Sequence, residues 1–339
     1  MLYSFLKNQN LLFMKKTLLY LMSGVLLTAS CTKVSLNEET AAATNETEAP
    51  VIMRQCASND VLQEQLKADP TLAARMNAIE SFTENYLRNP TANRLVNGVI
   101  EIPVVVNVLY RTAAQNISDA QIASQIAVLN KDFSATNTDY NLTPAIFQGV
   151  RSGNINVRFV LDKTVRKSTT KTSWSTNDAM KKAANGIVPT SPTTKLNLWV
   201  CNLGGGILGY AQFPGGSSAT DGVVIDDNAF GTTGTAAAPF NKGRTATHEV
   251  GHWMNLRHIW GDATCGNDQV GDTPLHNTAN YGCPASGHRS TCSGTPVEMT
   301  MNYMDYTDDA CMYMFSAGQK TRMQAVFATG GPRNSFAQP

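Results

Sequence analysis

The sequence lacks a surplus of either charge: 27 Lys and Arg stand against 26 Asp and Glu, for a net +1. That removes the field that would draw the chain to nucleic acid or acidic lipid. Long basic runs and basic–aromatic alternation are missing too, so no nucleic-acid partner is expected. The mostly apolar stretch from Leu18 to Ala29 falls short of the roughly 20 residues an ordinary spanning helix needs. There is no internal repeat. Gly204-Gly205-Gly206 lacks the Gly-Lys-Ser/Thr ending of a phosphate loop and reads as a turn or a close backbone approach. Histidine is scarce, five in 339 residues, so where the five fall carries information. What remains, 42% hydrophobic and 16% charged, suits a soluble globular chain with one large domain or two modest ones.

The N-terminus carries an address. Lys15 and Lys16 precede the apolar stretch and Thr28-Ala29-Ser30 closes it, the charged, apolar and small-residue order of a signal peptide. Ending at Cys31, it resembles a bacterial lipobox, in which the cysteine is lipidated, although Thr28 stands where Leu is usual. An exported lipoprotein at the outer membrane or cell surface is expected, with plain secretion as the alternative. Met14 begins a compact signal by itself, so residues 1–13 read as an over-called start. Export permits disulfides, and the seven cysteines sort accordingly. Cys265, Cys283, Cys292 and Cys311 crowd into one Gly/Asp/Thr-rich region and allow three pairings, among which spacing does not choose. Cys56 and Cys201 have no partners. Cys201, inside an apolar strand-like run, reads as a buried, inert thiol.

Residues 32–52 are mostly small, polar and acidic and read as a flexible tether. Over 58–90, Leu62, Leu66, Leu72, Met76, Ile79 and Tyr86 recur at near-helical steps, and Pro70 splits the stretch into two helices. Residues 90–98 read as an exposed linker. From Val99 the rhythm changes. Strands are predicted at 100–110, 154–162, 196–200 and 222–227, a helix capped by Ser118 carries Ile122, Ile126, Leu129 and Phe133, and another helix spans about 244–254. That order indicates an α/β fold, a mixed sheet with helices packed on it.

Three of the histidines fall in His248-Glu-Val-Gly-His252-Trp-Met-Asn-Leu-Arg-His258. Positions i and i+4 share a helix face, so His248 and His252 can reach one ion at about 2.0–2.1 Å. Glu249 projects beside them, placed for a metal-activated water rather than the metal, whose chemistry needs a carboxylate base. His258 lies out of helical phase and returns only if the chain turns sharply. Asn255 is suited to the left-handed conformation that ends helices. Three ligands and one open position mark a catalytic zinc; structural sites are closed by four.

The pattern HExxHxxNxxH resembles the metzincin consensus, with Asn255 at the usual glycine. Together with NYMDYTDDACMYMF and LNLWVCNLGGGILGY, it is similar to the pappalysin family, in its cytophagalysin–ulilysin branch. The resemblance covers about 53–330. It implies an α+β metzincin with a mixed twisted sheet, backing and active-site helices, and an irregular disulfide-stabilised C-terminal lobe. It further implies that Met304 forms the Met-turn floor, that Tyr306 helps stabilise the oxyanion, and that Cys265 pairs with Cys292 and Cys283 with Cys311. Calcium is implied near Asp268, Asp272 and Thr273. Arg54-Gln-Cys56 resembles the family's propeptide cysteine, whose thiolate fills the open zinc position in a latent form. Relatives that prefer basic side chains after the scissile bond place an acid nearby, for which Asp308 and Asp309 are candidates.

The expected organisation is a signal and lipobox over 1–31, a tether over 32–52, a propeptide over 53–94 cut near Arg94, and a catalytic domain over 95–339. The expected activity is that of a monomeric, zinc-dependent endopeptidase acting on polypeptides, the substrate adding as a strand near Gly209–Phe213. The alternative is a non-catalytic, zinc-binding surface lipoprotein.

Overall fold

Pro70 cannot continue a helix, and the computed structural model, which describes residues 53–89 and 98–337, breaks the N-terminal helical stretch there. Helix α1 spans Ser58–Ala68 and α2 spans Leu72–Arg88. Between them Asp69 accepts from the backbone and hydroxyl of Thr71 and so fixes the turn. The signal, lipobox, tether and expected cut at Arg94 lie outside the described residues.

The β-rich run becomes strand β1, Ile100–Tyr110, and Ser118 caps α3, Asp119–Ser134, by accepting from Gln121 N. Strand β2, Val157–Ser168, starts later and runs further than its alternation predicts. Asn156, at φ +63°, interrupts the extended chain, and a bulge at Asp162 of β2, opposite Val104 and Val105, keeps the two strands paired along their length. Then follow β3 (Leu196–Cys201), β4 (Gly209–Ala211), β5 (Val223–Asp226), helix α4 (Arg244–Trp253) and helix α5 (Ala317–Ala325).

The sheet order is β2-β1-β3-β5-β4, parallel throughout except for β4, an antiparallel edge. Side chains alternate between its faces. Val104, Val106, Val108, Leu196, Leu198 and Val200 meet α3 and α4 in the main core. Trp199, Cys201, Tyr210 and Val224 face the other way, under Trp174 and Met180, and there Ala57 and Val61 of the N-terminal segment complete the cover. Cys201 is wholly buried in this second cluster.

Past α4 the chain is irregular, stapled by Cys265–Cys292 and Cys283–Cys311. This is the pairing the resemblance implies. Helix α5 goes unread in the sequence because its apolar pattern is weak. Its signal is the reciprocal cap of Ser316 and Gln319.

Candidate metal centre

Every residue of α4 is buried, and two close approaches fix its place between the edge strand and the lower lobe. A side chain at Gly251 would meet Met304 Sδ at 2.5 Å, so glycine is what lets the methionine lie directly beneath the helix. A side chain at Gly209 of the edge strand would likewise meet Glu249 Cγ, at 2.9 Å. The helix ends at Trp253, and Asn255 takes the left-handed bend at φ +71°. Leu256 N bonds back to Gly251 O, turning His258 toward the helix.

His252 Nε2 lies 3.2 Å from His248 Nε2 and 3.1 Å from His258 Nε2. Outward, His248 Nδ1 meets Tyr303 O at 2.6 Å, His252 Nδ1 meets Leu256 O at 2.8 Å, and His258 Nδ1 meets Asp262 Oδ1 at 2.5 Å. Those outer oxygens accept, so each Nδ1 carries the proton and each Nε2 presents a lone pair. Burial drives His248 well below the ordinary histidine range and His252 down to about 3, with neighbouring imidazoles adding to both shifts. The three Nε2 atoms thus aim their lone pairs at one point. A tetrahedral zinc with nitrogens at about 2.0–2.1 Å needs them roughly 3.4 Å apart, so the trio fits the ion. Cys56 Sγ completes the group, with all four donor atoms within 4.8 Å of one another.

Glu249 is buried, and Oε2 accepts from Ser58 Oγ at 2.8 Å and lies 3.4 Å from Cys56 Sγ. Burial pushes its carboxyl up to about 7, against the pull of those hydrogen bonds and the Arg54 charge. Tyr306 Oη donates to Cys56 O at 3.0 Å. The Tyr306 ring stands edge-on both to His258 and to Trp260, and those two rings stack at 4.3 Å. Arg54 is 2% exposed. It donates to Thr307 O and Thr245 Oγ1, pairs with Asp309 Oδ1 at 2.5 Å, and lies over Phe240. Asp308 has no part in that pairing.

The calcium candidates do not converge as a trio. Asp268 takes the Thr273 hydroxyl on both oxygens at 2.9 Å, and burial raises its carboxyl to about 6. Asp272 is engaged elsewhere, accepting from Ser316 Oγ and Gly318 N at the start of α5.

Two contributors go unread in the sequence, Ser58 and Asp262. The signal for Asp262 was its place four residues past His258. Positive φ at Gly261 and Asp262 folds the loop back so that the carboxylate reaches the ring. The other two histidines have only neutral carbonyl partners, so a charged acceptor singles out His258. Asp262→Asn keeps an acceptor but removes the charge. Zinc binding by the processed enzyme is expected to weaken about 10–100-fold, read by chelator competition. Unchanged affinity would show that the carboxylate does not tune the ligand.

Such a helix, bend and trio beneath an edge strand define a metzincin zinc metallopeptidase. The family model described as pregnancy-associated plasma protein-A matches residues 195–328. An extracellular metalloprotease of Pyricularia oryzae is 32% identical over 79% of this chain and 82% of its own length. One from Coccidioides posadasii is 30% identical over 67% and 78%. Among solved structures, a promirolysin variant of Tannerella forsythia shares 41% identity and a TM-score of 0.76, covering 84% of this chain and 97% of that one. Mature mirolysin with a cleaved peptide shares 46% identity at TM-score 0.68, over 70% and 95%. The chain belongs to the pappalysin family and is a zinc metalloendopeptidase.

Proposed function

We propose that this chain is an exported endopeptidase, made as a latent zymogen, that cleaves polypeptides ahead of arginine or lysine. The observation that carries this reading is Arg54, a buried guanidinium seated on Asp309 immediately beside the histidine trio. Its extended segment leans on the edge strand: Leu208 N donates to Gln55 O, Ala57 N to Gly209 O, and Ala211 N to Ser58 Oγ. A substrate would draw on the same edge groups.

His248, His252 and His258 would hold zinc, which supplies Lewis acidity toward a water and the scissile carbonyl. Glu249 Oε2, the acceptor now used by Ser58, would take the water's proton and then hand it to the leaving amine. Tyr306 Oη, which here donates to the Cys56 carbonyl, would donate to the developing oxyanion. Met304 floors the trio. In the latent chain Cys56 would be the fourth metal donor, while Ser58 occupies the base and Arg54 the side-chain pocket. Residues 53–94 then form the prosegment and 95–339 the catalytic unit.

Secretion follows the relatives, whose names describe them as extracellular. No helix among the described residues is long and apolar enough to cross a membrane, and lipidation at Cys31 is the proposed attachment. The calcium reading rests on Asp268 with Thr273, since Asp272 already caps α5.

Digestion of a peptide library by the processed enzyme should yield products beginning with Arg or Lys. A zinc chelator should stop it and zinc should restore it. Cleavage indifferent to the chelator would defeat the reading.

A further inference from the structure

The contacts that block the cleft, made by Arg54, Cys56 and Ser58, are not the prosegment's only hold on the catalytic unit. Helix α2 packs on α5, where Glu80 forms a bidentate pair with Arg322, Oε1 to Nη1 at 2.7 Å and Oε2 to Nη2 at 2.6 Å. Arg322 is 1% exposed, and its Nε holds the carbonyl of Asn255, the residue in the left-handed bend, at 2.8 Å. Burial works against the Glu80 carboxylate, yet the Arg322 hydrogen bonds and the charges of Arg322 and Arg257 hold it below the usual range. Beside this pair Phe82 and Tyr86 close over Ala325 and Ala328. None of these groups touches the histidines, Glu249 or Asp309.

We infer that this face of α5 is a second, zinc-independent docking surface whose partner is prosegment helix α2, and that the prosegment therefore stays bound as an inhibitor after the linker is cut. The inference rests on the peptidase reading above and adds a stage to its regulation. A cut within 90–97 severs none of the contacts just described. Two anchors on one fragment act together, because release at the cleft leaves the fragment tethered at α5 at high effective concentration. Leaving α5 would strip Arg322 of its carboxylate while Nε stays committed to Asn255, and the loss of one partner from a buried pair acts mainly on the off-rate. Activation then takes two events, scission of the linker and destruction or slow loss of the fragment.

The test uses the full chain, nicked in the linker by an added protease. The wild-type fragment should co-elute with the catalytic unit on gel filtration, and peptide hydrolysis should stay low until the fragment is digested. In Glu80→Gln the uncut chain should remain latent, while the nicked fragment leaves on the order of tenfold faster or more. Glu80→Asp, which keeps the charge with a shorter reach, should fall between the two. Full activity of wild type at the moment of nicking, or equal release from wild type and Glu80→Gln, would overturn the proposal. Should Glu80→Gln not fold, the wild-type arm decides alone. A co-eluting complex that yields no peptidase once the fragment is destroyed would instead sink the peptidase reading and leave the docking intact.

Discussion

Processed Glu249→Ala is expected to lose roughly 10²–10⁴-fold in peptide hydrolysis while keeping a full complement of zinc. The carboxylate stands beside the trio, with its Cγ against Gly209 and its Oε2 accepting from Ser58. Its oxygens make no contact with the ring nitrogens, which find their own partners in Tyr303 O, Leu256 O and Asp262. Truncation would therefore remove the proposed proton carrier without opening the ligand set. The comparison also separates an enzyme from a protein that merely captures zinc, for which Glu249 would be irrelevant. Metal content by mass spectrometry and kcat/KM on one peptide read both halves. Activity that survives the change would move the base elsewhere, and loss of zinc with the activity would mean that Glu249 supports the metal.

The trio was legible in the sequence because its geometry is local. Helical spacing sets His248 against His252, and one residue able to adopt positive φ, Asn255, returns His258. The positions of β1, β3 and β5 and the Ser118 cap were legible for the same reason, while the order of strands in the sheet was not read. Contacts between distant segments were not. Arg54 and Asp309 are 255 positions apart, and Glu80 and Arg322 are 242, so no spacing rule joins them. Asp262 depends on two consecutive positive-φ residues, Gly261 and Asp262, a path that composition does not announce. The reach of β2 was misjudged because pairing with β1, rather than alternation, decides where it stops. The choice between Asp308 and Asp309 needed the fold, which buries Asp309 against the Arg54 guanidinium.

That choice yields the sharpest expectation about specificity. Asp309 is fully buried, and its oxygens serve two duties. Oδ2 accepts from Lys242 N at 2.7 Å and Arg244 N at 3.2 Å, which fastens the start of α4, while Oδ1 faces the Arg54 guanidinium. Asp309→Ala would strip the helix start as well as the pocket, so Asp309→Asn is the cleaner change. Its amide oxygen can still accept from the backbone while the charge is gone. For substrates with arginine after the scissile bond, kcat/KM is expected to fall about 10²-fold, the scale of losing a buried charge-assisted pair. For substrates with alanine or leucine there it should hold or rise, because a neutral side chain no longer leaves a buried carboxylate unpaired. The ratio of the two rates therefore changes at least as much as the arginine rate alone. The uncut zymogen should become leakier as well, since Arg54 sits on the same oxygen. Equal losses on arginine and alanine substrates would mean that Asp309 supports the helix alone and that the basic preference arises elsewhere.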